Sequence, residues 1–446
     1  MLPANWNKMT ADEKFQARLS LWLSTEGKPF ATPEAAKAYQ ERAQRYADVV
    51  QLKEPDRVPR TLIMGDFPAH YAGVTIGDMF YNPAKIVECN VKLLRDFDLD
   101  YQTGGSNLPG KAFDRMDYKT YRWPGNQLQV SQGFQYIEGE YMTADEYDAF
   151  IADPEAFCLR IYMPRVFGAL GGFQALPALY ASTEIAFLPA LLAPFGLPPV
   201  QEGLKALMEA GQATLEFMGA TAQVGAVGLG EMGLPGTAGG FSKAPFDFIG
   251  DTLRGTRAIM KDLYRYPNKV LAACDAMVPL AIQMAVNAAN MTGCPFVMLP
   301  LHKGADGFMS NDQFAKFYWP SFKAVLDGLI AEGLVPSLFV EGGYNQRLAY
   351  IAEAGVTPGR SIWTFDQTDM AQAKKFFGSW ACIGGNVPAS LFMSGTDEEM
   401  STYIQKLMDV CMPGGGFFIS NGAVMDNAKA ELVHTYLKVS KECGVY

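Results

Sequence analysis

Histidine occurs only three times in these 446 residues, at His70, His302 and His434, so chemistry that needs an imidazole has few places to sit. Cysteine is sparse as well. Seven residues, an odd number scattered from Cys89 to Cys443, form no CxxC pair and no close Cys/His cluster. That spacing excludes a disulfide framework, and reduced thiols in a cytoplasmic protein are the expectation. Positive charge is short too: 37 Lys and Arg against 47 Asp and Glu give a net charge of −10. Without a basic face the chain is not expected to bind nucleic acid. The opening MLPANWNKMTADEKF has neither the basic nor the apolar region of a secretion signal. No apolar run is suited to cross a bilayer as a clean helix, so no membrane partner is expected. The most apolar run, IAFLPALLAPFGLPPV from Ile185, is interrupted by four prolines. Two readings of it stand: a buried or oligomer-facing segment, which makes a homodimer one expectation, or a lid over an apolar pocket.

What is present is core. Hydrophobic residues make up 49% of the chain and charged ones 19%, which excludes extensive disorder and allows one elaborated barrel or two ordinary domains. Residues 1–57 read as a helical preface, with a capping box at Thr10–Glu13 and a cap followed by proline at Thr32-Pro33. A strand is predicted at 60–64 and a helix at 83–97. The segment 99–142 is aromatic and turn-rich and reads as strands and loops. A helix at 202–218 is followed by TAQVGAVGLGEMGLPGTAGG, read as a strand and a glycine-rich loop without dinucleotide or phosphate-loop spacing. Helices are predicted at 251–266 and 268–291. From Phe296 the alternation is regular, with strands near 296–301, 335–340, 361–365, 381–385 and 416–420 and helices between them. That is the pattern of βα units.

The chemistry is expected at the strand tips. His302 follows FVMLPL, Glu341 follows VPSLFV, and Asp366 follows SIWTF. A carboxylate directly after a buried strand is costly unless it meets a metal, a proton or a cation, and in a closed barrel such tips converge. His302, Glu341 and Asp366 are therefore the candidate catalytic residues. They are also the candidate ligands of a divalent metal, zinc or a harder ion. The bland alternatives are that Glu341 pairs with Arg347 and that Asp366 caps the helix near Asp369. His70, in the turn after the first strand, is a candidate lining residue, His434 reads as structural, and Cys382 as core.

At these residues the chain resembles the uroporphyrinogen decarboxylase superfamily, which also holds zinc-dependent, corrinoid-linked methyltransferases. APFDFIGDTLRGTRAIMKDLYRYPNKV (244–270), HKGADGFMSNDQFAKFYWPSFKAV (302–325), and the stretch 335–433 with GGNVPASLFMSGTDEEM carry the resemblance. It implies an α/β fold: a distorted (β/α)8 TIM barrel at 58–446 with the helical extension 1–57 packed outside. Departures set the subfamily. GDFPAHYAG (65–73) stands where true decarboxylases carry arginines, and Ser420-Asn421-Gly422 where they place a histidine, so porphyrinogen decarboxylation is not expected. The methyltransferase branch carries a His-x-Cys pair where this chain has Phe339-Val340-Glu341.

The leading expectation is a methyltransferase or demethylase component. It would move a methyl group from a small methylated substrate, a methoxy compound or aromatic ether, to a corrinoid carried by a partner protein. A divalent ion on Glu341, His302 and Asp366 would act as Lewis acid, or His302 would protonate the leaving oxygen. Asn386 and Asn421 would position substrate, and Tyr344 and Arg347 would shape the pocket. One rival is a cofactor-free decarboxylase or lyase with Arg347, Lys303 and Arg254 as its cationic clamp. The other is a non-catalytic binding subunit.

Overall fold

The computed structural model describes residues 2–446. A small antiparallel ribbon pairs β1 (Tyr121–Arg122) with β2 (Gln135–Tyr136). The main sheet is parallel and runs in chain order: β3 (Gly240–Phe241), β4 (Phe296–Leu301), β5 (Val335–Val340), β6 (Ile362–Phe365), β7 (Cys382–Gly384) and β8 (Phe417–Phe418). Each strand from β4 on is a short apolar run followed by a helix, and successive parallel neighbours follow from that repeat.

Two irregular segments complete the ring. Beyond β8, the peptide N–H of Ile419 donates to Pro59 O at 2.9 Å, that of Thr61 to Ile419 O at 3.1 Å and that of Met425 to Ile63 O at 3.0 Å. Segment 60–65 in turn meets 100–106 through Asp100 N to Arg60 O (3.1 Å) and Ser106 N to Gly65 O (2.8 Å). Gln102 N then donates to Pro235 O at 3.0 Å, which leads to β3. Eight strand-like segments thus enclose a lumen, as the barrel expectation required.

The preface closes the bottom of that barrel. Helices Ala11–Leu23 and Pro33–Val50 carry the caps read from the sequence. They bury Phe15, Trp22, Tyr39 and Tyr46 against Phe296, Val335, Ile362, Cys382 and Phe418, at the starts of the strands. Cys382 is therefore core. A buried carboxylate ties this plug to the wall. Asp100 accepts from Arg45 Nη1 at 2.9 Å, Arg57 Nη1 at 2.7 Å and the backbone N–H of Arg60 at 2.8 Å. Burial alone would raise its pKa, and the three guanidinium groups outweigh that and hold it below the usual range.

Three sequence expectations are corrected. The strand and loop read after residue 218 are a continuation of one helix, Pro198–Met232, ended by Gly233 in a left-handed turn. Its glycines are tolerated because Gly203, Gly228 and Gly230 lie on the buried side, where close packing offsets their poor helix propensity. The helix predicted at 251–266 begins instead as a π-helical turn, Phe248–Leu253, breaks at Gly255 (φ +73°), and resumes at Thr256–Arg265. Within 99–142, residues Gly110–Met116 are helical and only the β1–β2 ribbon is extended.

Candidate active site

Side chains two residues apart on a strand share a face. His302 therefore projects on the side of Met298, Glu341 on that of Ser337 and Phe339, and Asp366 on that of Thr364. All four of these lower residues line a cavity of about 340 Å³ in the lumen. Its other walls include Thr61, Ile63, Thr103, Thr237 and Ser420, with Tyr46 and Tyr101 at the plugged end. Hydroxyls and apolar groups line it, and no ionisable acid or base other than the two tyrosines does. The ionised groups stand above it, at the mouth.

The centre of that cluster is Asp251, which sequence reasoning did not single out. Its Oδ2 lies 2.6 Å from His302 Nδ1 and 2.5 Å from Lys243 Nζ, and its Oδ1 lies 3.1 Å from Lys303 Nζ. Burial opposes ionisation, but the His302 hydrogen bond and the Lys243 charge prevail and keep the carboxyl well below its ordinary value. His302 is shifted the other way. Burial pulls its pKa down, but the hydrogen bond and charge of Asp251 more than compensate, so the net shift is upward. With Nδ1–H committed to Asp251, Nε2 is the working nitrogen. It faces Glu341 Oε2 at 3.7 Å, too far for a hydrogen bond. Burial, and after it the carboxylates of Asp247, Asp366 and Asp251, push Glu341 upward against the pull of His302.

A second carboxylate sets the position of the first strand tip. Asp247 is fully buried and accepts the backbone N–H of His302 at 3.1 Å, that of Lys303 at 2.9 Å and the hydroxyl of Tyr318 at 2.8 Å. Asp247 and Asp251 are four apart, on or beside the π-helical turn. The DxxxD spacing within 244–270 was the available signal for both. The β1–β2 ribbon roofs the same corner, where Tyr136 Oη donates to Asp251 O at 2.5 Å.

The remaining candidates are placed elsewhere. Asp366 Oδ2 accepts from Gly342 N at 3.0 Å, steadying the loop that follows Glu341, while Asp369 caps the helix. Asn386 donates to Asp366 O (2.9 Å) and Thr368 O (2.8 Å), and its Oδ1 accepts from Tyr403. Asn421 accepts from Ile63 N (2.7 Å) and donates to Ile63 O (2.8 Å) and Ala423 O (2.6 Å). As placed, both amides serve the backbone and leave no free donor for a substrate. Arg347 is buried, donates to Gly304 O and Met309 O, and does not reach Glu341. Tyr344 is buried beneath Gly304, where a Cβ would come within 2.5 Å of its phenol oxygen. His70 is exposed on the short helix Phe67–Ala72, and His434 packs on Phe97.

Across the mouth, at the tip of segment 60–65, stands Asp66. It is 7% exposed, its Oδ1 has no hydrogen-bond partner, and its backbone N–H donates to Asp426 Oδ1 at 3.3 Å. Burial, then the Asp426 charge, push its carboxyl up to about 6.

Among the described residues, no three His, Cys, Asp or Glu side chains converge as a metal's ligand set. His302 and Glu341 approach each other, His302 Nδ1 is committed to Asp251, and Asp366 is tied to Gly342. The side chains as they stand do not build the His302–Glu341–Asp366 site expected from the sequence.

Comparison with known proteins agrees with this architecture. The uroporphyrinogen decarboxylase (URO-D) family matches residues 212–439, just over half the chain. No curated protein matches the sequence. A solved structure described as a methyltransferase from Methanosarcina mazei superposes with a TM-score of 0.56 at 14% identity, over 90% of this chain and 98% of that one. A B12-independent methionine synthase from Shewanella aligns over 45% of this chain and 59% of its own, at 9% identity and a TM-score of 0.31. That last similarity carries no argument. The chain belongs to the uroporphyrinogen decarboxylase family.

Proposed function

We propose that this protein is a methyl-transferring enzyme acting on a small, uncharged, methylated oxygen compound, a methyl ether or methanol-like alcohol. In this reading His302 protonates the oxygen that leaves. The observation that carries it is the pairing of a neutral lumen with an acid at its rim. The lumen offers hydroxyls, thioethers and aromatic groups but no cation, while His302, which follows the end of the strand that carries Met298, has its pKa raised through Asp251. A volume of about 340 Å³ suits a small molecule.

In the transfer, an incoming nucleophile's electron pair forms the new bond to the methyl carbon. The C–O pair stays with the oxygen, and the His302 Nε2 proton neutralises it. A corrinoid held by a partner protein over the mouth would supply that nucleophile, in keeping with the methyltransferase branch that the sequence resembles. Asp251 holds the imidazole in the tautomer that presents Nε2. Asp247 fixes the backbone from which His302 projects. Lys243 and Lys303 keep Asp251 ionised, so the proton stays on His302 until the leaving oxygen demands it. Protonation of a positioned leaving group contributes on the order of 10²–10⁴ in rate.

The decarboxylase reading needs a cation free to grip a carboxylate. Lys303 is engaged by Asp251 and Thr256, Arg254 by Asp262 and Glu140, and Arg347 by Gly304 and Met309. The test is demethylation of methanol and methyl phenyl ethers with free cob(I)alamin as acceptor, followed by loss of Co(I) absorbance. Turnover by the wild type that collapses in His302→Gln supports the reading. Equal turnover by the two proteins, or decarboxylation of an added carboxylic acid instead, would sink it.

A further inference from the structure

The helix Pro198–Met232 presents an apolar stripe that nothing in the chain covers. Leu204, Met208, Gly211, Leu215, Met218 and Ala222 follow one another at spacings of four and three, and all are exposed. Met208 and Leu215 are 69% and 70% exposed. The opposite side of the helix is already used, with Gly203, Ala206, Ala210 and Ala220 buried. A 4-3 alternation of apolar residues is the seam of a helix pair. Gly211 and Gly219 add close approach: a Cβ at either would meet nothing within 4 Å.

The strap leading into this helix has the same character. Its helical turns between Leu179 and Gly196 contain no buried residue, and Tyr180 and Ile185 are each 83% exposed. Ten large apolar side chains from Leu179 to Met218 are exposed by 36% or more. Exposed apolar residues on a monomer are normally scattered singly, and a concentration of them within forty residues marks an interaction surface.

We infer that a second copy of this chain covers this face, with the two Pro198–Met232 helices crossing about a two-fold axis. Charge selects that occupant over a membrane. From 166 to 201 the chain has one ionised side chain, Glu184, and no Lys or Arg. On the helix itself Lys205, Glu209 and Glu216 flank the stripe. Glu209 and Glu216 are paired with Arg115 and Lys111 of the same chain, so two copies at −10 each meet here with less repulsion than elsewhere on the surface. The same lack of basic residues removes the attraction an anionic lipid surface needs. A seam that repeats along one helix is self-complementary, as an isologous interface requires.

Sedimentation velocity and light scattering at tens of micromolar test the inference. The wild type should run at twice its 48.8 kDa, and Met208→Glu/Leu215→Glu should run as a monomer with an unchanged circular dichroism melt. The milder Tyr180→Ser/Ile185→Ser, which alters only the strap, should weaken the dimer at least 10-fold and guards against misfolding of the first variant. A wild type that stays monomeric would overturn the inference. So would a dimer indifferent to both variants, or a monomer that floats with phosphatidylglycerol vesicles.

Discussion

The two sides of the barrel mouth use their strand tips differently. On the side of β4 and β5, His302 and Glu341 are ionisable and half-exposed, and their outer atoms have no backbone partner. On the side of β7 and β8, Asn386 and Asn421 occupy equivalent positions, yet every polar atom of their amides is taken by the protein. A strand tip is therefore not a functional address by itself. What separates chemistry from architecture is whether the side chain's hydrogen-bonding capacity is left over once the fold is satisfied.

Substitutions on the two sides should break along that line. His302→Gln should lower turnover about 10²–10⁴-fold and move the thermal midpoint little, which steady-state kinetics beside a melt would show. Asn421→Ala should do the reverse. Three hydrogen bonds to half-buried backbone are lost, worth on the order of 3 kcal/mol in a denaturant titration, while turnover per folded molecule holds. If Asn421→Ala abolishes turnover at full stability, the contrast drawn here is wrong.

Asp66 lies on the architectural side but behaves as a displaced acid. Its folded value of about 6 lies above the ordinary 3.8, so the native state binds the extra proton between those values. The contribution of Asp66 to stability is therefore greatest below pH 4 and is lost as pH rises through about 6. Asp66→Asn should remove that fall. It should gain up to about 3 kcal/mol at pH 8 and nothing at pH 3.5, in paired urea titrations. His302 has the same sign: its native proton stabilises below the ordinary histidine value of about 6.5 and is lost as pH climbs through the raised native value. The smallest expected effect is that of a chelator. Because no metal-ligand trio converges among the described residues, exhaustive dialysis against EDTA should leave His302-dependent turnover within about twofold. A larger loss would return Glu341 to the role of metal ligand.

Much of the frame was legible in the sequence because it is local. Strands β4 to β8 announce themselves by short apolar runs, and the capping box at Thr10 and the cap at Thr32 mark helix starts that the structure reproduces. The placement of His302 and Glu341 beside each other followed from strand order alone. What escaped is long-range. Asp251 reaches His302 only because the chain unwinds into a π-helical turn at Phe248–Leu253, and no periodicity signals that turn. The helix at Pro198–Met232 was cut short because its glycines read as a loop, although tertiary packing against neighbouring helices sustains it. Asn421 looked like a ligand group because a sequence does not show that the first and last strands need a clasp.

The most direct test is an NMR titration of His302 in the wild type and in Asp251→Asn, with the other two histidines assigned by substitution. The account predicts a wild-type pKa above the ordinary 6.5, with Nδ1 protonated throughout, and a fall in the variant. A His302 that titrates at or below 6.5 in both proteins would contradict it, because the mouth would then hold no acid for a leaving oxygen.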